Sequence, residues 1–235
     1  SGFREFMIQN GFTEIHSPKI NAAGAEGGAN IFKLDYFDQP AFLAQSPQFY
    51  KQTAVAFFDR VFEVGPVFRA ERHNTSRHLN EYTGLDFEMG FISSMNDVME
   101  METAMLKYVF AYIKEHYQNE LMILSPVIPE IKSIPSITFM EAVELLGGRQ
   151  RYDLSPEDEA ALCDYAKKEY DSDFIFVTHF PAAKRPFYAM NDREDSRFAL
   201  SFDLLFRGLE ITTGGQRIHD YDEQVEKMKG MHMDP

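Results

Sequence analysis

A single cysteine, Cys163, stands in the 235 residues, which excludes an intrachain disulfide and fits a reducing compartment. Long apolar runs are missing as well: stretches such as VFAYI and FIFV are far too short to cross a bilayer. No signal-peptide pattern opens the sequence, so a cytoplasmic protein with no membrane partner is the expectation. Positive charge is scarce, with 23 Lys and Arg against 37 Asp and Glu and a net charge of -14. That balance argues against a surface that coats nucleic acid in general, but is compatible with a local basic pocket. Glycine (14) and proline (11) are few, while 44% of residues are apolar and 14% aromatic, a composition that excludes disorder. No internal repeat or low-complexity stretch occurs. The length suits one large domain or two small ones.

Periodicity sketches the elements. FREFMIQNGF reads as the end of an amphipathic helix stopped near Gly11, and TEIHSPKI as a short strand closed by a proline. NAAGAEGGANIF is small and glycine-rich, the composition of a loop. AFLAQS reads as a strand and PQFYKQTAVAFF as a helix with proline in its first turn. RVFEVGPVFRAE and TGLDFEMGFI read as strands, and residues 95–119 as one strong helix with an Asn or Asp cap. A proline-spaced connector is expected over 121–137. TFMEAVELLG and SPEDEAALCDYAKKEY read as helices, DFIFVTHFP as a buried strand, RFALSFDLLFRGLEITTGGQRIHD as a strand pair, and DEQVEKMKG as the start of a last helix. The pattern predicts an α+β fold, a mostly antiparallel sheet flanked by helices, cut at both ends.

One stretch runs against the acidic balance: FRAERHNTSRHLNEY, residues 68–82, places three arginines and two histidines in fifteen residues between two strands. Side chains alternate along a strand, so Arg69 and Glu71 share a face, as do Tyr82, Gly84, Asp86 and Glu88. Antiparallel pairing would gather these groups on one sheet face, with Arg72, His73, Arg77 and His78 in the loop. Arginine's planar fork suits a phosphate, and a tyrosine over a glycine floor could stack on a purine. The bland alternative is a solvated hairpin with surface salt bridges.

In SFDLLFRGLEITTGGQR, a tight turn at Arg207-Gly208 would set Leu205 opposite Glu210 and Asp203 opposite Thr212. Asp203 and Glu210 then become diagonal neighbours, a pair that repels unless a cation lies between them. An exposed hairpin with unrelated acids is the alternative. In QSPQFYKQ, Gln48 and Lys51 share a helix face, and the lysine could hold a carboxylate or simply be a solvated surface charge.

FRAE followed by RHLNEYTGLDFEM resembles motif 2 of the class II aminoacyl-tRNA synthetases, and TEIHSPKI, with Pro18, looks like the end of their motif 1. EGG, QSPQFYKQ, GLDFEM and GLEITTGGQRIHD are similar to the aspartyl enzymes of archaea and eukaryotes, and the likeness runs over nearly the whole chain. It implies that Arg69 would hold the ATP α-phosphate and the activated carboxylate, Glu71 would contact the adenine amino group, and Tyr82 would stack on the ring. Arg77 and His78 would meet the outer phosphates or the tRNA end. Asp203 and Glu210, with Thr213, would hold Mg²⁺ bridging the phosphates. The aspartate side chain would lie between Lys51 and Arg217, with Gln48, Asp86 and Glu26 around its ammonium group and Glu88 and Thr213 completing the polar wall.

The implied partners are ATP, L-aspartate, tRNA(Asp) and a second copy in a homodimer. The resemblance also implies a single, partial catalytic domain over 1–235, without the family's N-terminal anticodon-binding barrel and its third motif. Catalysis by the chain as it stands would then be impaired. Charging of both Asp and Asn tRNAs, an amino-acid ligase, and a ligand sensor without catalysis are the alternatives. Elsewhere the expectations are plain. Cys163 and the methionines of 95–105 are packing residues, and the acids at 157–159 suit a helix first turn. His16, His116 and His179 lack metal-ligand spacing and partners.

Overall fold

A computed structural model describes residues 1–22, 31–70, 79–148 and 152–233, in two compact units. The first comprises 1–92 and 111–116, the second 93–110 and 117–235.

The first unit opens with α1 (Gly2–Gln9), which buries Phe3, Phe6 and Met7 at helical spacing. Gly11, at φ +79°, takes the chain out of the helix through the left-handed region. The ring of Phe3 meets that of Phe62 edge-on, with centroids 5.7 Å apart. Next come β1 (Thr13–Glu14), β2 (Ile20–Asn21), β3 (Lys33–Tyr36), β4 (Gln39–Leu43), α2 (Gln48–Phe58), β5 (Arg60–Phe68) and β6 (Glu81–Met89). One sheet has the order β1-β5-β6, with β1 parallel and β6 antiparallel to β5; a second has the order β2-β4-β3. β5 ends at Phe68, earlier than the expected strand.

In the second unit, the helix α3 (Met95–His116, whose last residues belong to the first unit) is followed by α4 (Gln118–Leu124). Helix α4 occupies part of the segment expected to be connector, and the expected long helix breaks at Tyr117. Its four apolar residues, LMIL, give no sign of a turn, and proline appears only after it, at Pro126. Then come β7 (Ser136–Thr138), α5 (Phe139–Leu145), α6 (Pro156–Tyr170), β8 (Phe174–Thr178), β9 (Ser201–Phe206), β10 (Leu209–Gly215) and α7 (Tyr221–Gly230). Thr138 and Ser155 open α5 and α6 with complete capping boxes, each side chain accepting from the third residue's N–H.

The sheet order is β10-β9-β8-β7, and every residue of β8 is buried. Helices cover both faces: Phe139 and Leu162 pack on Ile175, Val177 and Leu205, whereas Met95 and Met99 pack on Phe176, Phe202 and Leu204. The buried Cys163 and these methionines fill core, as expected. Five of the seven strand pairings among the described residues are antiparallel, in keeping with the expected α+β class. No described helix is long and apolar enough to cross a membrane.

Candidate active site

In the first unit, β5 and β6 pair with Val67 opposite Tyr82, Gly65 opposite Gly84, Glu63 opposite Asp86 and Val61 opposite Glu88. Directly opposed residues share a face, so Tyr82, Gly84, Asp86 and Glu88 line up as the alternation requires. The Arg69 N–H donates to the Asn80 carbonyl at 2.9 Å, extending the ladder one residue past the strand. Its guanidinium lies 5.9 Å from the centre of the Tyr82 ring, within cation–π range. A side chain at Gly84 would bring its Cβ to 3.0 Å from the Asp86 carboxylate, so the glycine leaves that group room.

Helix α2 delivers Lys51 to the same unit. Its first turn points Gln48 and Lys51 inward, while Phe49 and Phe57 stay exposed. The Lys51 ammonium donates to Asp86 Oδ1 at 2.8 Å and lies 3.7 Å from Glu88 Oε2. Its side chain is only 8% exposed, which overturns the alternative of a solvated surface lysine. Gln45, beyond the end of β4, is buried too. Sequence reasoning missed Glu63. This buried carboxylate accepts from the Ser17 N–H (2.9 Å), the Ser17 hydroxyl (2.6 Å) and Lys19 Nζ (2.8 Å). It ties the segment around Pro18 to β5.

In the second unit, the Arg207-Gly208 turn has both residues at positive φ (48° and 85°), and Leu205 stands opposite Glu210 as expected. The register then shifts between Glu210 and Thr212, so Asp203 faces Thr213 and Thr212 faces Leu204. The expected pairing of Asp203 with Thr212 is therefore corrected by one residue. The cause is a β-bulge, in which two residues of one strand oppose one of the other. Asp203, Glu210 and Thr213 end on one face. The Thr213 hydroxyl donates to Glu210 Oε1 at 2.5 Å and also hydrogen-bonds Asp203.

Arg185 Nη2 donates to Asp203 Oδ2 at 2.8 Å, and its guanidinium lies 3.9 Å from the Phe180 ring centre. Asp203 Oδ1 is buried without a hydrogen-bond partner. Burial raises the Asp203 carboxyl above its ordinary range, with Arg185 opposing but not cancelling the effect. Glu210 is raised too, first by desolvation, although its side chain reaches the surface, and second by the Asp203 charge. The carboxylates of Asp203 and Glu210 and the Thr213 hydroxyl, with Asp203 Oδ1 unpartnered, are hard oxygen donors of the kind that suits Mg²⁺. Arg217, held by a bridge to Ala189, has its guanidinium 4.5 Å from the Tyr188 ring centre.

Arg185 and Tyr188 were not singled out from sequence, and RPFY carries no spacing that would have done so. Glu102 did carry a signal, because it interrupts the apolar stripe of α3. His116 and His179 do have partners, contrary to expectation: His116 Nδ1 lies 3.1 Å from the Tyr112 carbonyl, and His179 Nδ1 lies 2.8 Å from the Thr178 hydroxyl with Nε2 3.8 Å from Asp192. The expected roles of Glu26, Glu71, Arg77 and His78 fall outside the described residues, as does most of the glycine-rich loop.

The family model for class II tRNA synthetases (D, K and N) matches residues 1–235. The aspartate–tRNA(Asp/Asn) ligase of Thermus thermophilus is 48% identical over all of this chain and 56% of its own length. The aspartate–tRNA(Asp) ligase of Pyrococcus horikoshii is 42% identical over 99% of this chain and 55% of its own. Among solved structures, asparaginyl-tRNA synthetase from Pyrococcus horikoshii, complexed with asparaginyl-adenylate, aligns with a TM-score of 0.89 at 30% identity. That alignment covers 100% of this chain and 55% of the other. The chain thus spans about half the length of the curated relatives it matches. It belongs to the class II tRNA synthetases of the D, K and N group.

Proposed function

We propose that the chain belongs to the catalytic domain of an aspartate–tRNA ligase, which activates L-aspartate with ATP and transfers it to the tRNA 3′ end. The observation that carries this is the buried Lys51 held against Asp86 on the Tyr82 face. A buried ion pair is often no more stabilising than apolar residues of the same volume, so packing alone gives little reason to keep one. A lysine beside two carboxylates, on a face with an arginine and a tyrosine, suits an amino-acid substrate that carries both signs of charge. The relatives named as aspartate–tRNA ligases support the same substrate.

The chemistry asks for no protein nucleophile. The substrate carboxylate attacks the ATP α-phosphorus, a new O–P bond forms, and pyrophosphate leaves with the electron pair of the broken bond. Arg69 neutralises the two anions as they meet, and Tyr82 stacks on the base. Lys51 and Arg217 are assigned to the aspartate side-chain carboxylate, and Asp86, Gln48 and Glu26 to its ammonium group. Glu88 lines the wall, Glu71 reads the adenine, and Arg77 and His78 meet the outer phosphates. Asp203, Glu210 and Thr213 would hold Mg²⁺, which when bound supplies charge neutralisation to the phosphates. The homodimer expected from the resemblance and the cytoplasmic location expected from the composition belong to the same proposal.

ATP–pyrophosphate exchange with aspartate, with asparagine and without amino acid tests the assignment. Exchange with aspartate alone supports it, whereas exchange with asparagine alone would overturn it. A second reading, charging of both tRNA(Asp) and tRNA(Asn), is favoured by the name of the Thermus relative. Aspartylation of purified tRNA(Asn) would establish it.

A further inference from the structure

Helix α3 presents Met95, Met99 and Glu102 to the sheet as one buried stripe, against Phe174, Phe176, Phe202 and Leu204. Glu102 is only 1% exposed, and its Oε2 has no hydrogen-bond partner. Its carboxyl does hydrogen-bond the side chain of Thr212. That contact exists because the bulge sets Thr212 opposite Leu204, on the α3 face, and Thr213 opposite Asp203, on the other.

Without the bulge, Ile211 would stand opposite Leu204 and Thr212 opposite Asp203. Apolar burial alone favours this arrangement, because it would take Ile211, now 40% exposed, into the core. The strand's own sequence discriminates weakly: in TTGG, a one-residue slip replaces one threonine by another and one glycine by another. Two neighbours do discriminate. A buried carboxyl facing Ile211 would lose its hydrogen bond, whereas facing Thr212 it keeps one. Phe202 fills the space above Gly214, where an added Cβ would come within 2.3 Å of the ring, so the slipped Thr213 would not fit there.

We propose that Glu102 selects the bulged register of β10 from behind the sheet, and is thereby a positioning residue for the Thr213 hydroxyl beside Asp203 and Glu210. The effect on the site rests on the reading of those three residues as a Mg²⁺ set; the effect on register does not.

The test compares F202L, which relaxes the second restraint, with E102Q/F202L and E102M/F202L, reading the β9–β10 register from cross-strand amide contacts by NMR or from crystals. F202L and E102Q/F202L should keep Thr213 opposite Asp203, and E102M/F202L should bring Ile211 opposite Leu204. Loss of the bulge in F202L, or its survival in E102M/F202L, overturns the proposal. If the double variant does not fold, E102M alone should show faster amide exchange at residues 211–213 than E102Q, and equal rates would overturn it.

Discussion

Replacing Glu102 with glutamine should remove a pH dependence that the carboxyl imposes on the second unit. Burial pushes this carboxyl from an ordinary 4.5 up to about 7, because the charged form has lost its water, and the hydrogen bond with Thr212 only partly offsets that. The protonated form is thus favoured in the folded state. Its stabilising contribution is fully present below pH 4.5 and is lost as pH rises through 7. A shift of that size corresponds to about 3 kcal/mol, most of which falls between pH 5 and pH 8. Glutamine keeps the shape and a hydrogen-bonding head but cannot ionise. Guanidinium unfolding of wild type and E102Q at pH 5 and pH 8 should therefore show the variant gaining roughly 2 to 3 kcal/mol on the wild type over that interval. The reading should follow the α3–sheet core by tryptophan-free probes such as near-UV tyrosine signal or NMR, since two compact units need not unfold together. Parallel curves for the two proteins would mean that the buried carboxyl is not held neutral, and the reasoning would fall.

Three further perturbations have definite expectations. Gly214→Ala places a methyl within 2.3 Å of the Phe202 ring and should cost about 1–3 kcal/mol in denaturant melts; an unchanged midpoint would show that the ring moves freely aside. Lys51→Met strips Asp86 of its cation and should lower stability by roughly 2 kcal/mol, below the figure for fully buried pairs because Asp86 is 29% exposed. The same variant should reduce aspartate-dependent exchange roughly 100-fold, and wild-type exchange would remove Lys51 from the site. Ser155→Ala removes the capping hydroxyl that accepts from the Asp158 N–H and should cost about 1 kcal/mol, with Ser155→Asp close to wild type in the same melts.

The local rules decided much of this protein from sequence alone. Alternation placed Tyr82, Asp86 and Glu88 on one face, helical spacing paired Gln48 with Lys51, and the Arg207-Gly208 turn set Leu205 opposite Glu210. Each follows from the geometry of one chain segment or one tight turn, so no distant residue has to be known. Tertiary structure decided the rest. Whether Lys51 is a solvated charge or a buried partner of Asp86 depends on what packs against α2, and nothing in QSPQFYKQ states it. Arg185 reaches Asp203 across eighteen residues of sequence, a distance no periodicity spans. The bulge in β10 is the sharpest case, because TTGG accepts either register almost equally well. The choice falls to Glu102 on a helix and Phe202 on the neighbouring strand, one requiring a hydroxyl and the other requiring the absence of a side chain.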